Sequence, residues 1–274
     1  VTPAASDPVA TVRLVSGQPL AYVAYRLGGT LGEIRYEAIG HDGYAHDFGT
    51  LGPEKMTTQR PAMVAVPGDA SGDSLCFAWR NLTSDRLRFI AVPPGTSPSS
   101  VAAGFLPADY RTNLGPALVA APSGGIYVFF VGLEAEPGGH LWYGYRDPSG
   151  TWASSPVDVT AAWEATPLGS FYPEGVLSTT LPVAIASYAL ADHRIHLWFS
   201  SAASGGPEMP RAVWRIVLRE VSPGVLSFAG TAPVPENVLV EGGYEAAGAA
   251  VQYGDRLLHF WQSHSLVVES GRGD

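Results

Sequence analysis

Leu75-Cys76-Phe77-Ala78-Trp79-Arg80 is the stretch that decides the fold. Five residues run without a charge, the fifth is aromatic, and the sixth is Arg. A strand with one wet face alternates apolar and polar residues. This one does not, so both of its faces must be covered. The pattern returns four times, as Ala21-Tyr22-Val23-Ala24-Tyr25-Arg26, Ile126-Tyr127-Val128-Phe129-Phe130-Val131, Ile195-His196-Leu197-Trp198-Phe199-Ser200 and Leu257-Leu258-His259-Phe260-Trp261-Gln262. The fifth column reads Tyr25, Trp79, Phe130, Phe199 and Trp261, at spacings of 54, 51, 69 and 62 residues.

The neighbourhood of each frame repeats as well. Ahead of it lies a small-residue strand: Pro8-Val9-Ala10, Pro61-Ala62-Met63-Val64-Ala65, Pro116-Ala117-Leu118-Val119-Ala120, Pro182-Val183-Ala184-Ile185-Ala186 and Gly248-Ala249-Ala250-Val251. Strands that converge on a common axis need small side chains. Behind most frames comes a third strand, such as Leu87-Arg88-Phe89-Ile90 or Leu141-Trp142-Tyr143-Gly144-Tyr145. Two units then show a Gly-containing turn closing on an aromatic, His41-Asp42-Gly43-Tyr44 and Asp147-Pro148-Ser149-Gly150-Thr151-Trp152. Glycine supplies the positive φ that such turns require.

A unit of about 50 residues with three or four short strands is a propeller blade. The expectation is therefore an all-β chain, a single domain folded as a five-bladed β-propeller, with blades near 7–52, 59–106, 113–163, 176–235 and 244–274. The last unit lacks an obvious outermost strand, and Val1 to Ser6 is expected to pair there and close the ring. An open ring would leave apolar faces and a strand edge exposed. A β-sandwich with Greek-key links is the competing fold, but it does not demand a fixed aromatic column. The long gaps at 91–112, 153–180 and 219–247 read as outer strands and loops.

Composition agrees. Of 274 residues, 32 are Gly and 23 Pro, a density that leaves little room for long helices. Hydrophobic residues reach 46% and charged ones 15%, which excludes wholesale disorder. The net charge of −9 argues against nucleic acid and anionic membrane as partners. No apolar run approaches the ~18 residues of a membrane-spanning helix. The lone Cys76, inside an apolar strand, excludes an intrachain disulfide and reads as a small buried hydrophobe. Cytoplasmic and secreted locations both remain open.

No residue set announces a reaction. His193 and His196 are three apart, so on a strand their rings point to opposite faces. His41 and His46 bracket a turn beside Asp42 and Asp47, where a metal is conceivable and a solvated turn is the plainer reading. There is no nucleophile elbow, no phosphate loop and no zinc spacing. Neither cofactor nor metal is expected. Carboxylates for glycosidase chemistry, among them Glu33, Glu37, Asp42, Asp47, Asp147, Asp192, Glu208 and Glu245, cannot be paired from sequence. Arg26 and Arg80 share the sixth column, where a guanidinium suits a sugar hydroxyl, a carboxylate or an ion pair between blades. Trp142, Tyr145 and Trp152 fall near strand ends, where rings can stack on the C–H face of a sugar. The terminal Arg272-Gly273-Asp274 reads as a frayed tail.

The blade frames and the Ser149-Gly150-Thr151-Trp152 turn resemble small β-propeller lectins, the tachylectin-like and fucose-lectin-like groups, over most of the chain. That resemblance implies carbohydrate binding. The Arg, Glu and Trp triplet repeated in each blade of the fucose-binding lectins is absent here, and the blades have diverged. Divergence suits one specialised pocket, so a metal-independent cyclase-like or glycoside-active enzyme is the alternative expectation. The ligand is expected to be a small molecule or glycan, with Arg26, Arg80, Trp142, Tyr145 and Trp152 as ligand-binding residues.

Overall fold

The computed structural model describes residues 8–28, 32–40, 42–68, 72–133, 139–166, 184–186, 194–201, 212–229, 234–236, 249–253, 256–262 and 266–272. Within them lie five antiparallel sheets, each built from consecutive segments of chain. The first runs β1 (Val9–Val15), β2 (Gln18–Arg26), β3 (Ile34–Ile39), β4 (Ala45–Thr50). The second runs β5 (Ala62–Val66), β6 (Ser74–Arg80), β7 (Leu87–Val92), β8 (Gly104–Phe105). The third is β9 (Ala117–Ala120), β10 (Ile126–Val131), β11 (Leu141–Arg146), β12 (Val157–Asp158). The fourth holds β13 (Ala184–Ala186), β14 (Arg194–Ser201), β15 (Ala212–Ser222) and β16 (Val225–Phe228), with β17 (Val234–Glu236) also on β15. The fifth is β18 (Ala249–Tyr253), β19 (Arg256–Gln262), β20 (Leu266–Arg272).

Every repeated frame lies in the second strand of a sheet, and every small-residue segment contributes the first. These first strands sit side by side: β1 touches β5, β5 touches β9, β9 touches β13, β13 touches β18, and β18 touches β1. The expected closing strand, Val1 to Ser6, lies outside the described residues, as do His41, Asp192, His193, Glu208, Glu245, His264 and the terminal Gly273-Asp274.

The cores lie between sheets, which explains the unbroken apolar runs. On β6, Leu75, Phe77 and Trp79 face the first sheet, while Cys76 and Ala78 face the third. On β10, Ile126, Val128 and Phe130 face the second sheet, while Tyr127, Phe129 and Val131 face the fourth. Trp79 and Phe130, both from the aromatic column, are 0% and 1% exposed. Tyr25 is only half-buried and donates its hydroxyl to Glu37 at 2.8 Å.

One gap read as strand and loop contains a short helix, α1 (Val159–Glu164). Asp158 caps it by accepting from the Ala161 N–H at 2.9 Å, and Trp163 buries its ring against Phe228.

A second repeat joins the sheets. Residues 51–60, between the first and second sheets, have the same bonds as 106–115, between the second and third. Leu51 N–H donates to Ile34 O as Leu106 N–H does to Leu87 O. Thr57 N–H donates to Gly32 O as Thr112 N–H does to Asp85 O. Each threonine hydroxyl accepts from the amide two residues on. Lys55 and Tyr110 are equivalent positions. Buried Lys55 donates to Leu51 O, Pro98 O and Ser99 O at 2.9–3.1 Å, whereas Tyr110 donates to Ala153 O at 2.9 Å. Either way the linker is tied to the outer segment of the sheet that follows.

A polar clasp joins the third and fourth sheets. Buried Glu220 accepts from the Ser123 N–H (2.9 Å), the Ser123 hydroxyl (2.8 Å) and the Tyr127 hydroxyl (2.7 Å). The Tyr127 hydroxyl accepts in turn from the Gly224 N–H at 3.1 Å. Burial, and then the Glu220 carboxylate, push the Tyr127 phenol well above its ordinary value.

Candidate functional site

An open cleft of about 400 Å³ lies between the second and third sheets, at the end carrying the β6–β7 and β10–β11 turns. Its walls are Phe130 and Gly132 at the end of β10, Leu133, Trp142 at the start of β11, Asp109 and Arg111 from the linker, and Ser155 and Pro156 ahead of β12. Successive residues of a strand alternate faces. That places Phe130 and Trp142, paired across β10 and β11, on the side facing the second sheet. Gly132 is required where it stands, because a Cβ there would sit 2.6 Å from Trp142 Nε1. That indole N–H is buried and has no hydrogen-bond partner among the described residues. A buried donor without a partner is costly unless water or a ligand accepts from it.

The polar wall comes from the linker. Arg111 pairs with Asp85 through two bonds, Nε to Oδ1 at 3.0 Å and Nη2 to Oδ2 at 2.5 Å. The guanidinium hydrogen bond pulls the Asp85 carboxyl below its usual range. Asp109, also exposed, receives the Ser155 hydroxyl at 3.3 Å. The cleft therefore offers the half-buried Trp142 indole backed by the buried Phe130, one carboxylate, one hydroxyl and an arginine already neutralised by its partner.

Of the five residues singled out from sequence, only Trp142 lines this cleft. Arg26 is half-buried at the end of β2, opposite Ile34. Arg80 ties two linkers together, donating to Thr112 O at 3.1 Å and to the Thr58 hydroxyl at 3.0 Å. Tyr145 is on the opposite face of β11, packed on Tyr127 at 5.0 Å between the third and fourth sheets. Trp152 is at the other end of β11, edge-on to Phe89 at 5.2 Å and Tyr110 at 6.0 Å. The Asp147 turn is structural: its carboxylate accepts from the Ser149 hydroxyl and the Thr151 N–H, with Gly150 at φ +98°. Asp109, Arg111 and Ser155 were not singled out from sequence. The signal that could have found them is the linker repeat, in which Met56 gives way to Arg111.

Other chemistry is sparse. His46 pairs with Asp42 at 3.0 Å and His140 with Asp158 at 2.8 Å. Among the described residues no group of three or more His, Cys, Asp or Glu is placed to hold a metal, and no helix is long and apolar enough to cross a membrane. Burial pushes the Cys76 thiol up to about 12, away from nucleophilic use.

No protein-family model and no curated protein matches the chain. Solved structures do. The chain is similar over its full length to the six-bladed β-propeller lectin of Aleuria aurantia, described with a novel fucose recognition mode, at 14% identity, 78% of that chain and a TM-score of 0.64. It is also similar to AofleA from Arthrobotrys oligospora, at 11% identity, 98% of this chain and 83% of that one, with a TM-score of 0.51. The GH43_1 enzyme from Xanthomonas citri, at 13% identity, 99% of this chain and 88% of that one, has a TM-score of 0.49, too low to bear on the fold. At such identities the likeness establishes the fold alone: the chain is an all-β β-propeller, similar in fold to these lectins.

Proposed function

We propose that this chain is a five-bladed β-propeller that binds a carbohydrate in the cleft between its second and third sheets. Five sheets in chain order and a cycle of first-strand contacts returning from β18 to β1 support the blade count. Covering 78% of a six-bladed lectin is near the fraction that five blades of six would make.

The observation that carries the binding reading is the cleft itself. The half-buried Trp142 indole, backed by the buried Phe130, forms one wall, and a carboxylate and a hydroxyl lie on the same cleft. Ring C–H faces of a sugar stack on such aromatics, while hydroxyls donate to a carboxylate and accept from side chains. A volume of about 400 Å³ suits a mono- or disaccharide. The fucose recognition of the Aleuria aurantia lectin points the same way.

Binding is favoured over hydrolysis. Glycoside cleavage uses two carboxyl groups flanking the bond. Among the described cleft residues only Asp109 supplies one, since Asp85 is held by Arg111.

The test is a tryptophan-fluorescence titration with a panel of monosaccharides, repeated on Trp142→Ala. A sugar that quenches the wild-type chain with millimolar to micromolar affinity, and not the variant, supports the reading. Absence of any response, with no retention on a glycan-coated surface, overturns it.

A further inference from the structure

The linker repeat brings equivalent residues to two clefts, one between the first and second sheets and one between the second and third. Asp109 corresponds to Glu54, Phe130 to Trp79, Pro156 to Ala103, and Trp142 to Arg88. The register fixes the last two pairs: Arg88 stands opposite Phe105 as Trp142 stands opposite Asp158. Arg88 fills the first cleft with its own guanidinium. It donates to Glu54 O at 2.9 Å and to Ala103 O at 3.2 Å, and it stacks over Trp79 at 5.9 Å and Phe105 at 5.0 Å. Each of the positions it touches, Phe105 apart, has its counterpart on the wall of the open cleft. The chain thus contains a worked example of what that shape holds: a cation against an aromatic face, at the position where the second cleft has a tryptophan and a vacant volume.

The charge of the open cleft agrees. Arg111 is neutralised by Asp85, whereas Asp109 has no ion-pair partner among the described residues. Such a carboxylate beside a half-buried indole is a setting in which ammonium and guanidinium groups are attracted to both the ring and the charge.

We propose that the ligand of this cleft presents a cation to Asp109 beside the Trp142 ring and, resting on the carbohydrate reading above, that it is an amino sugar with a free ammonium group.

The experiment titrates the full chain, followed by tryptophan fluorescence in mildly acidic, low-salt buffer, with D-glucosamine, N-acetyl-D-glucosamine, D-glucose and agmatine. Asp109→Asn is run beside the wild type. Asp109 is exposed, so the variant should fold, and circular dichroism checks that it does. The proposal expects glucosamine to bind about fivefold or more tighter than the two neutral sugars, an advantage lost in Asp109→Asn and diminished by added salt. Equal binding of all three sugars, indifferent to Asp109→Asn, overturns the cation and leaves the carbohydrate reading standing. Binding of agmatine with no response to any sugar supports the cation site and overturns the carbohydrate. Silence to all four overturns both.

Discussion

Raising the pH should unfold this protein steeply, and the Tyr127 clasp makes the slope assignable. Buried Tyr110 is pushed up to about 12, chiefly by desolvation, and so is the Cys76 thiol. Burial and the Glu220 carboxylate raise Tyr127, and burial raises Tyr143. A group whose pKa is raised by folding contributes stability that is complete below its unfolded value and lost as pH climbs toward the folded one. Each retained proton is worth about 1.4 kcal/mol per pH unit. Tyr110, Tyr127 and Cys76 together therefore remove about 4 kcal/mol per unit above about pH 10, a large share of a typical 5–15 kcal/mol. Lys55, lowered mainly by burial, acts in the opposite sense but only below its unfolded value of 10.5. Tyr127→Phe isolates one share. Near neutral pH it costs about 2–3 kcal/mol, because Glu220 loses a donor and the Gly224 N–H loses its acceptor. Above about pH 10 the variant has one proton fewer to lose, so its disadvantage should shrink by about 1.4 kcal/mol per unit and vanish near pH 12. Urea unfolding followed by circular dichroism at a series of pH values measures both curves. Parallel curves from about pH 9 to about pH 12 would refute the assignment of that proton to Tyr127.

Three further outcomes are expected. Gly144→Ala drives a methyl into the buried ring of Tyr110, which is pinned by Ala153 O and Phe130, and should cost about 1–3 kcal/mol by thermal melt, with an unchanged melt showing that the ring can yield. Lys55→Met leaves Leu51 O, Pro98 O and Ser99 O without their donor and should cost about 2–4 kcal/mol in urea, whereas an Arg111→Met change at the exposed neighbouring position should fall within about 0.5 kcal/mol. Chelation with EDTA should leave the melting temperature unchanged, and a fall of more than a few degrees would reveal a metal site, with the His46–Asp42 pair the first place to look.

The strands were legible because physics writes them plainly. A sheet covered on both faces must be apolar at consecutive positions, and Leu75 to Trp79 is. The helix α1 was not legible: six residues carry too little periodicity, and its Asp158 cap is itself the last residue of a two-residue strand. The site was half legible. Trp142 was singled out for its ring and place, but Tyr145 was grouped with it although the two are three apart on one strand. That odd separation sends them to opposite faces. Arg80 was read, from the column it shares with Arg26, as a contact to a ligand or an ion pair between blades, and its guanidinium donates to Thr112 O and the Thr58 hydroxyl. Asp109, Arg111 and Ser155 come from segments without period, and only their alignment with residues 51–60 gives them meaning.

The contact of β18 with β1 has a kinetic consequence. Each sheet pairs strands that are close in sequence, so each can form quickly from local hairpins. The β18–β1 contact joins the two ends of the described chain, the largest loop the fold closes. Four sheets can stack as they are made, but the outer faces of the first and the last stay bare until the fifth arrives. Until the fifth sheet is made, the growing chain therefore carries two apolar surfaces. Those surfaces fit one another no better than they fit a neighbouring chain's. On the five-bladed reading proposed above, slow ring closure rather than slow sheet formation is expected to set the interval in which the chain is exposed to aggregation.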